Sequence, residues 1–337
     1  MRKSLIRESL SGREIFCFAL SAMLFALCSS VAAQQPVKVP RIGFLGATSP
    51  STNAARIEAF RQGLRELGYV DGKNIVIEYR WAEGKTERLP ELVADLVRLK
   101  VDIIVTAGPA VTRPVKEATS TIPIVMSFDN DPVGSGFVAS LARPGGNITG
   151  LSALFPELSG KRVELLKEAV PMLSRMAAFG TSKQPGTAQT LKETELAAGA
   201  LGVQVQYLDL REPKDIDTAF QTARKGRAEA VLVLSSAVIF SQRTRIADLA
   251  VKNRLPVMFP QNEFAEDGGL MSYAPNYADL FRRAATYVDK ILKGRTPAEL
   301  PVEQPIKFEF IINLKAAKQI GLTIPPNVLA RADRVIK

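Results

Sequence analysis

The sequence predicts an α/β protein made of two doubly wound parallel-sheet lobes. Three observations predict this class: strands and helices alternate along residues 40–151, the alternation starts again after Pro156, and most strands are short, continuous apolar runs. Such runs are typical of strands whose two faces are both covered by helices. At 337 residues the chain also has the length of two domains.

The first series begins with a strand at residues 40–46. A turn rich in small residues leads to a helix at 52–67, in which Phe60 and Leu64 belong to one apolar face. Gly68 is typical of the residue just past a helix end. The other elements predicted in this series are strands at 75–79, 102–105, 124–127 and 148–151, and helices at 89–99, 110–118 and 133–141.

The same alternation starts again at residue 160. It predicts helices at 160–170, 188–201, 216–225 and 241–253, and strands at 176–179, 203–208, 230–234 and 257–259. After these, the sequence predicts strands at 270–273 and 308–312 and helices at 277–292 and 314–320. These last elements come too late to form a third domain, so we expect them to complete the first two.

The N-terminus has the pattern of a secretory leader. Basic residues precede a run of 13 largely apolar residues at 15–27, and small residues follow up to Ala33. A helix of that length spans about 20 Å, short of the roughly 30 Å hydrocarbon core, so a permanent anchor is disfavoured. We expect cleavage near Ala33 and a periplasmic location. A lipoprotein modified at Cys28 is the alternative, but Leu27 is larger than the small residue such a signal needs.

Composition excludes the commonest enzyme designs. The chain has no histidine, and its only two cysteines, Cys17 and Cys28, lie in the predicted leader. Catalytic triads, His-ligated zinc and thiolate sites are therefore unavailable to the mature protein. Dinucleotide, P-loop and nucleophile-elbow motifs are incomplete or absent, and the pair Asp129 and Asp131 is a weak candidate for magnesium. We expect no catalysis, no cofactor and no metal.

The net charge of +10 does not predict nucleic-acid binding. No Arg/Lys run with interleaved aromatic residues is present, and an exported chain rarely meets nucleic acid. A basic solvated surface facing an anionic envelope is the simpler interpretation.

The loops that follow the strands are the predicted ligand site, because open α/β sheets bind ligands beyond the carboxyl ends of their strands. Small hydroxyls, glycines and helix N-termini predominate there and suit a carboxylate. Asp129, Asp131 and Glu263 could meet an ammonium group, so together the loops could hold a zwitterion. Helix capping alone would also explain much of this composition. The loops are residues 47–51, 106–110, 127–132, 152, 180–183, 235–237 and 260–263.

Several long strings carry a family resemblance over essentially the whole mature chain. They are Arg41–Gly46 (RIGFLG), residues 60–69 (FRQGLRELGY), 78–84 (EYRWAEG), 131–134 (DPVG), 140–150 (SLARPGGNITG) and 157–162 (ELSGKR). They resemble the exported substrate-binding proteins of ABC importers, in particular the tryptophan/tyrosine-type group. The resemblance implies a type I periplasmic binding fold, in which two α/β lobes are joined by a hinge and close on a small ligand.

The resemblance also implies an organisation and partners. Residues 1–33 would be the signal peptide, 34–155 with 273–300 the N-terminal lobe, and 156–272 with 301–337 the C-terminal lobe. The partners would be a small-molecule ligand, best an amino acid or related small carboxylate, and an ABC permease in the inner membrane, with the protein itself a monomer. A ligand sensor of the same fold that feeds a signalling receptor is the alternative, and a secreted hydrolase or dehydrogenase is disfavoured.

Carried over by position, the resemblance places the ligand in the cleft between the lobes. The implied contacts are Thr48, Ser49, Ala107, Gly108, Pro109, Ser127, Phe128, Asp131, Thr181, Ser182, Ser236, Asn262, Glu263 and Tyr273. The segment 179–185 departs from the family pattern, so this wall of the pocket could differ. Trp81, the only tryptophan, could pack within a lobe or line the pocket rim.

Overall fold

The structure is a computed structural model that describes residues 38–337. The predicted signal peptide lies outside the described residues. Within residues 38–337, no helix is both long and apolar enough to cross a membrane.

Five parallel strands form the first sheet, in the spatial order β2-β1-β3-β4-β5. Every residue of β4 and β5 is buried, as expected for strands covered on both faces. The strands are β1 (Arg41–Gly46), β2 (Val76–Trp81), β3 (Ile103–Ala107), β4 (Ile124–Asp129) and β5 (Ile148–Ser152).

Four helices accompany this sheet, and one of them comes from late in the chain. The helices are α1 (Ala54–Glu66), α2 (Leu89–Arg98), α3 (Pro109–Ala118) and α10 (Tyr277–Leu292), with 3-10 turns at Thr86–Arg88 and Pro297–Glu299. Helix α10 packs along α1 and β4, so the chain returns to the first lobe after building the second. The close approach of α10 to α1 depends on Gly63, where an added Cβ would lie 2.4 Å from the Arg282 carbonyl oxygen.

Seven strands form the second sheet, in the order β12-β11-β10-β9-β8-β6-β7. All neighbouring pairs are parallel except β10 and β11, which run antiparallel. The strands are β6 (Arg175–Gly180), β7 (Gln204–Asp209), β8 (Ala230–Val233), β9 (Val257–Phe259), β10 (Met271–Pro275), β11 (Phe308–Asn313) and β12 (Arg334–Ile336).

The remaining helices belong to the second lobe. They are α4 (Phe155–Ala169), α5 (Thr187–Ala200), α6 (Asp215–Lys225), α7 (Ala237–Ser241), α8 (Arg243–Lys252), α9 (Asn262–Glu266), α11 (Leu314–Ile320) and α12 (Pro326–Leu329). The short helices α7, α9 and α12 were not predicted from the sequence. The two-lobed α/β class predicted above is confirmed.

The helix predicted at 133–141 is wrong. This stretch is a series of turns, in which the Ser135 amide donates to the Asp131 carbonyl and the Phe137 amide to the Pro132 carbonyl. Gly134 and Gly136 interrupt the helical pattern, and Gly136 adopts a φ of 69°. Phe137 is nevertheless buried in the first lobe's core, so the apolar residues of this stretch pack inward from a loop rather than from a helix.

The chain crosses between the sheets three times, and the crossings lie near the predicted lobe limits. The first joins β5 to α4 through Leu154, whose φ of 54° is left-handed. The second joins β10 to α10, so residues 273–275 pair in the larger sheet rather than the first lobe. The third follows Glu303, which still pairs beside β5 at Leu151. Residues 273–275 therefore lie with the second lobe, and residues 301–303 lie with the first, each opposite to the predicted assignment. The predicted lobe limits otherwise stay a prediction.

Candidate functional site

A narrow cleft of about 40 Å³ lies between the carboxyl ends of the two sheets. Pockets that hold small molecules are roughly 300–1,000 Å³, so the lobes are nearly closed on each other here and must part to admit a ligand. Loops of both lobes line the cleft. The lining residues are Ala47, Thr48, Asn53, Arg56, Ala107, Gly108, Pro109, Ala110, Phe128, Gln184, Ser235, Ser236, Ala237, Phe240 and Gln261.

Arg56, in the first turn of α1, is the central charged group of the cleft. It is only 3% exposed. The guanidinium carbon lies 4.1 Å from the Tyr277 ring centroid, 4.4 Å from that of Phe240 and 5.8 Å from that of Phe128. Cation–π contacts of this kind become stronger when the cation is removed from water. The rings therefore help to keep a charged side chain inside the protein.

Arg56 also forms an ion pair that joins the two lobes. Its Nε donates to Glu263 Oε1 over 2.6 Å, and Glu263 lies on α9 of the second lobe. Phe240, on α7, comes from the second lobe as well, whereas Phe128 and Tyr277 belong to the first lobe's core. One side chain of the first lobe is thus held by two groups of the second.

Two acceptor atoms beside this pair have no hydrogen-bond partner among residues 38–337. They are Oε2 of Glu263 and Oε1 of Gln261, and both are buried. Buried polar atoms are nearly always paired, so unpaired ones at a cleft indicate where a ligand or water donates. An ammonium group is a donor that suits either acceptor.

Groups that suit a negatively charged ligand group lie at the β3–α3 and β8–α7 turns. Gly108 precedes α3 with a φ of 100°, and a Cβ there would lie 3.0 Å from the Phe128 ring. The N-terminus of this ten-residue helix faces the cleft through Pro109 and Ala110. Ser236 caps α7, where its Oγ accepts from the Ile239 amide over 3.1 Å. A ligand carboxylate suits the positive ends of helix dipoles and nearby hydroxyls.

The structure brings half of the sequence-predicted contacts together. Six of them line the cleft, and Glu263 joins them through Arg56. Those six are Thr48, Ala107, Gly108, Pro109, Phe128 and Ser236.

Three other predicted contacts lie near the cleft but face elsewhere. Ser49 bonds Ser51 and Thr52 at an outer rim. Thr181 Oγ1 lies 2.8 Å from Ser236 Oγ and supports that residue from behind.

Asp131, the third of these contacts, accepts a hydrogen bond from the Gly134 amide. It lines a separate hollow, whose other residues are Gly134, Pro156, Glu157, Gln189 and Glu193.

The last four predicted contacts serve the framework of the protein. Ser127 Oγ donates to the Thr106 carbonyl, and Ser182 bonds Asp209. Asn262 donates to Glu309, and the Tyr273 ring stacks on Phe308.

Nine of the fifteen lining residues were not among the predicted contacts, and neither was Tyr277, whose ring packs on Arg56. Arg56, Asn53 and Phe240 lie within or just before helices rather than directly after strands, and Tyr277 comes from the returning helix α10. Gln261 comes two residues after the end of β9, but the contacts predicted in its loop were Asn262 and Glu263. The signal in the sequence was an arginine on the apolar face of α1, within its first turn.

Burial keeps the phenol of Tyr277 neutral. Removal from water raises the pKa of Tyr277 to about 12. The ring therefore offers Arg56 an uncharged π face at all ordinary pH values.

Trp81 packs within the first lobe. Its ring stacks on Tyr79 with centroids 6.3 Å apart, and it also contacts Phe44. Trp81 is absent from the cleft lining, so packing is its role here.

Asp129, the last residue of β4, is a fully buried carboxyl group. Its Oδ1 accepts from the Asp131 amide, and its Oδ2 has no partner among the described residues. Burial raises the pKa of Asp129 to about 8, because the charged form loses its hydration. At neutral pH this side chain is mainly a protonated acid rather than a counter-ion for an ammonium group.

The protein should lose stability as the pH rises from about 4 to about 8. An unfolded Asp ionises near pH 3.9, whereas folded Asp129 holds its proton up to about pH 8, so the folded state binds more protons in this window. The free energy of unfolding should fall by up to about 1.4 kcal/mol per pH unit from this group. Asp129→Asn should flatten that dependence, as read from urea midpoints at pH 5 and pH 8. Equal pH dependence in the two proteins would contradict the assignment.

Residues 38–337 contain no cluster of three or more His, Cys, Asp or Glu side chains that could hold a metal ion. The pair Asp129 and Asp131 is split, since the first is buried and the second faces the separate hollow.

Comparison with known proteins gives concordant matches. Residues 47–336 match the model of a family described as ABC transporter substrate binding protein. A tyrosine-binding protein of Clostridioides difficile is 24% identical over 273 residues, which cover 81% of this chain and 78% of that protein.

Solved structures match over most of the chain. A conserved domain protein from Vibrio cholerae superposes with a TM-score of 0.83 at 28% identity, covering 88% of this chain and 100% of the other. A Streptococcus pneumoniae protein, described as an ABC domain in complex with L-Trp, gives a TM-score of 0.82 at 27% identity, covering 88% and 99%.

Proposed function

Because this chain belongs to the ABC transporter substrate-binding protein family, we propose that it captures an amino acid, best an aromatic one, between its lobes and delivers it to an ABC permease. Members of this family bind solutes rather than catalyse reactions, and they act outside the cytoplasm. The predicted leader supports export to the periplasm.

The observation that carries the proposal is Arg56, a buried cation that joins the lobes inside an aromatic cage. A group that touches both lobes responds to closure, since its contacts with Glu263 and Phe240 exist only when the lobes meet. A ligand that bonds the same groups would favour the closed state over the open one. Such differential affinity is what drives a two-state clamp.

The polar groups suit the two charges of an amino acid. Glu263 Oε2 and Gln261 Oε1 are unpaired acceptors for an ammonium group, and Ser236 with the α3 N-terminus suits a carboxylate. The guanidinium of Arg56 could meet the carboxylate as well.

The rings of Phe128 and Phe240 line the same cleft, and once the lobes part they suit an aromatic side chain. The tyrosine- and tryptophan-binding relatives support the same class of ligand.

A thermal-shift panel tests this proposal. The twenty amino acids, small carboxylates, sugars and purines are each added to residues 34–337 of the chain. We expect L-tyrosine, L-tryptophan or L-phenylalanine to give the largest shift, because a ligand at 100 times its Kd stabilises the folded state by about 2.7 kcal/mol.

N-acetylated and decarboxylated forms of the best ligand are the controls, and each should lose most of the shift. A larger shift with a sugar or purine, and none with any amino acid, would overturn the proposed ligand class.

A further inference from the structure

A basic edge lies at the end of the second lobe that is remote from the cleft. Parallel strands β6, β8 and β9 begin at this end, so the loops before them are neighbours. The last helix turns and the loops before β8 and β9 carry five cations, all exposed. We call these residues the basic edge: Arg224, Lys225, Arg227, Lys252 and Arg254.

The cations of the basic edge have no side-chain partners in the described part of the chain. Among residues 38–337, none of the five forms an ion pair or a side-chain hydrogen bond, although many other arginines of this protein are paired. The nearby acid Glu229 is occupied by the amides of Ser174 and Arg175. The positive charge therefore faces solvent without an internal partner.

Helix capping explains part of this charge, but not all of it. Cations in the last turn of a helix interact well with its dipole, which accounts for Arg224, Lys225 and Lys252. Arg227 and Arg254 lie beyond the helix ends, with φ of 56° and 53°. Glycine is the least strained residue at such a position, so neither turn needs an arginine.

Apolar side chains lie beside the charge. Met172, in the loop before β6, is 86% exposed, the largest value among the described large hydrophobic residues. Leu201, close to the start of β7, is 39% exposed. Strand β6 pairs with β7 on one side and β8 on the other, so this apolar pair adjoins the basic edge.

We infer that this end of the second lobe docks on an anionic lipid surface. Unpaired cations beside exposed apolar side chains match a bilayer, whose anionic headgroups attract the cations while its interface accepts Met172 and Leu201. Docking here leaves the cleft, at the opposite end of the strands, open to solvent. The inference does not depend on which solute the cleft binds, and it gives the excess positive charge of the chain a use.

Vesicle sedimentation tests the inference. Residues 34–337, which include the compact unit Pro40–Lys337, are mixed with phosphatidylglycerol/phosphatidylcholine vesicles or with pure phosphatidylcholine vesicles. We expect binding only to the anionic vesicles and its loss at high salt. The double variant R227Q/R254Q should weaken binding by on the order of twentyfold, at about fivefold per cation. Met172→Gln should weaken it further.

The matched control is K73Q/K100Q, which removes the same charge from the equivalent end of the first lobe. Lys73 and Lys100 are exposed, and Lys100 has a left-handed φ of 52°, like Arg227 and Arg254. This control should bind anionic vesicles as the wild type does. Equal losses in both double variants would mean that only net charge matters, and no binding of the wild type would exclude a lipid partner. Either result overturns the inference.

Discussion

Replacing Arg56 by alanine should weaken ligand binding by about 2–5 kcal/mol, or thirtyfold and more, the cost of truncating one partner of a buried charge pair. The variant loses the charged group of the aromatic cage and leaves Glu263 without its partner. Both lobes lose a contact that forms on closure. Isothermal titration calorimetry with the amino acid found in the panel would measure the loss.

Arg61→Ala is the matched control for Arg56→Ala. Arg61 lies on the same helix, stacks 5.0 Å from the Tyr79 ring centroid and donates to the Tyr79 hydroxyl, yet it does not line the cleft. Its removal should leave the ligand affinity unchanged. The double variant R56A/E263A separates binding from stability, because it leaves no unpaired charge behind. If Arg56→Ala and Arg61→Ala bind equally well, Arg56 is not part of the site.

Gly150→Ala should destabilise the protein by about 3 kcal/mol or more, since it combines a strained backbone with overpacking. Gly150 lies in β5 with a φ of 133°, and an added Cβ would lie 2.2 Å from the Met126 carbonyl oxygen on β4. That oxygen belongs to the backbone of a buried strand and cannot move aside cheaply. The midpoint of urea unfolding should fall accordingly.

Gly146→Ala provides the comparison for Gly150→Ala. Gly146 lies just before the same strand, with open space around its missing Cβ and no left-handed φ. It should change stability by less than about 1 kcal/mol, the usual range for a surface substitution. Similar midpoints for the two variants would show that the tight approach of β5 to β4 is not required.

Most of the fold could be predicted because its strands are buried apolar runs. A run such as residues 42–45 predicts a buried strand from its composition alone. Gly68 follows the end of α1, as its residue type predicts. The short helices α7 and α9 have only five residues, too few for a periodic signal. The helix predicted at 133–141 does not form, because Gly134 and Gly136 interrupt an apolar spacing that would otherwise suit a helix.

The site was predicted less completely, because it depends on the residue at which each strand ends and on side-chain contacts between the two lobes. Strand β4 continues to Asp129, so this acid is buried while Asp131 lies beyond it and faces another hollow. The role of Arg56 requires Phe240 and Glu263 from the other lobe, more than 180 residues away in sequence. Local sequence patterns do not predict contacts between side chains that are so far apart in the chain.

A crystal structure of the protein with the amino acid from the panel tests the central claim most directly. The account predicts the ligand between the closed lobes, within hydrogen-bond distance of Arg56 or Ser236, with its side chain against Phe128 or Phe240. A ligand bound in the hollow beside Asp131, or anywhere that leaves the Arg56 cleft empty, would contradict it.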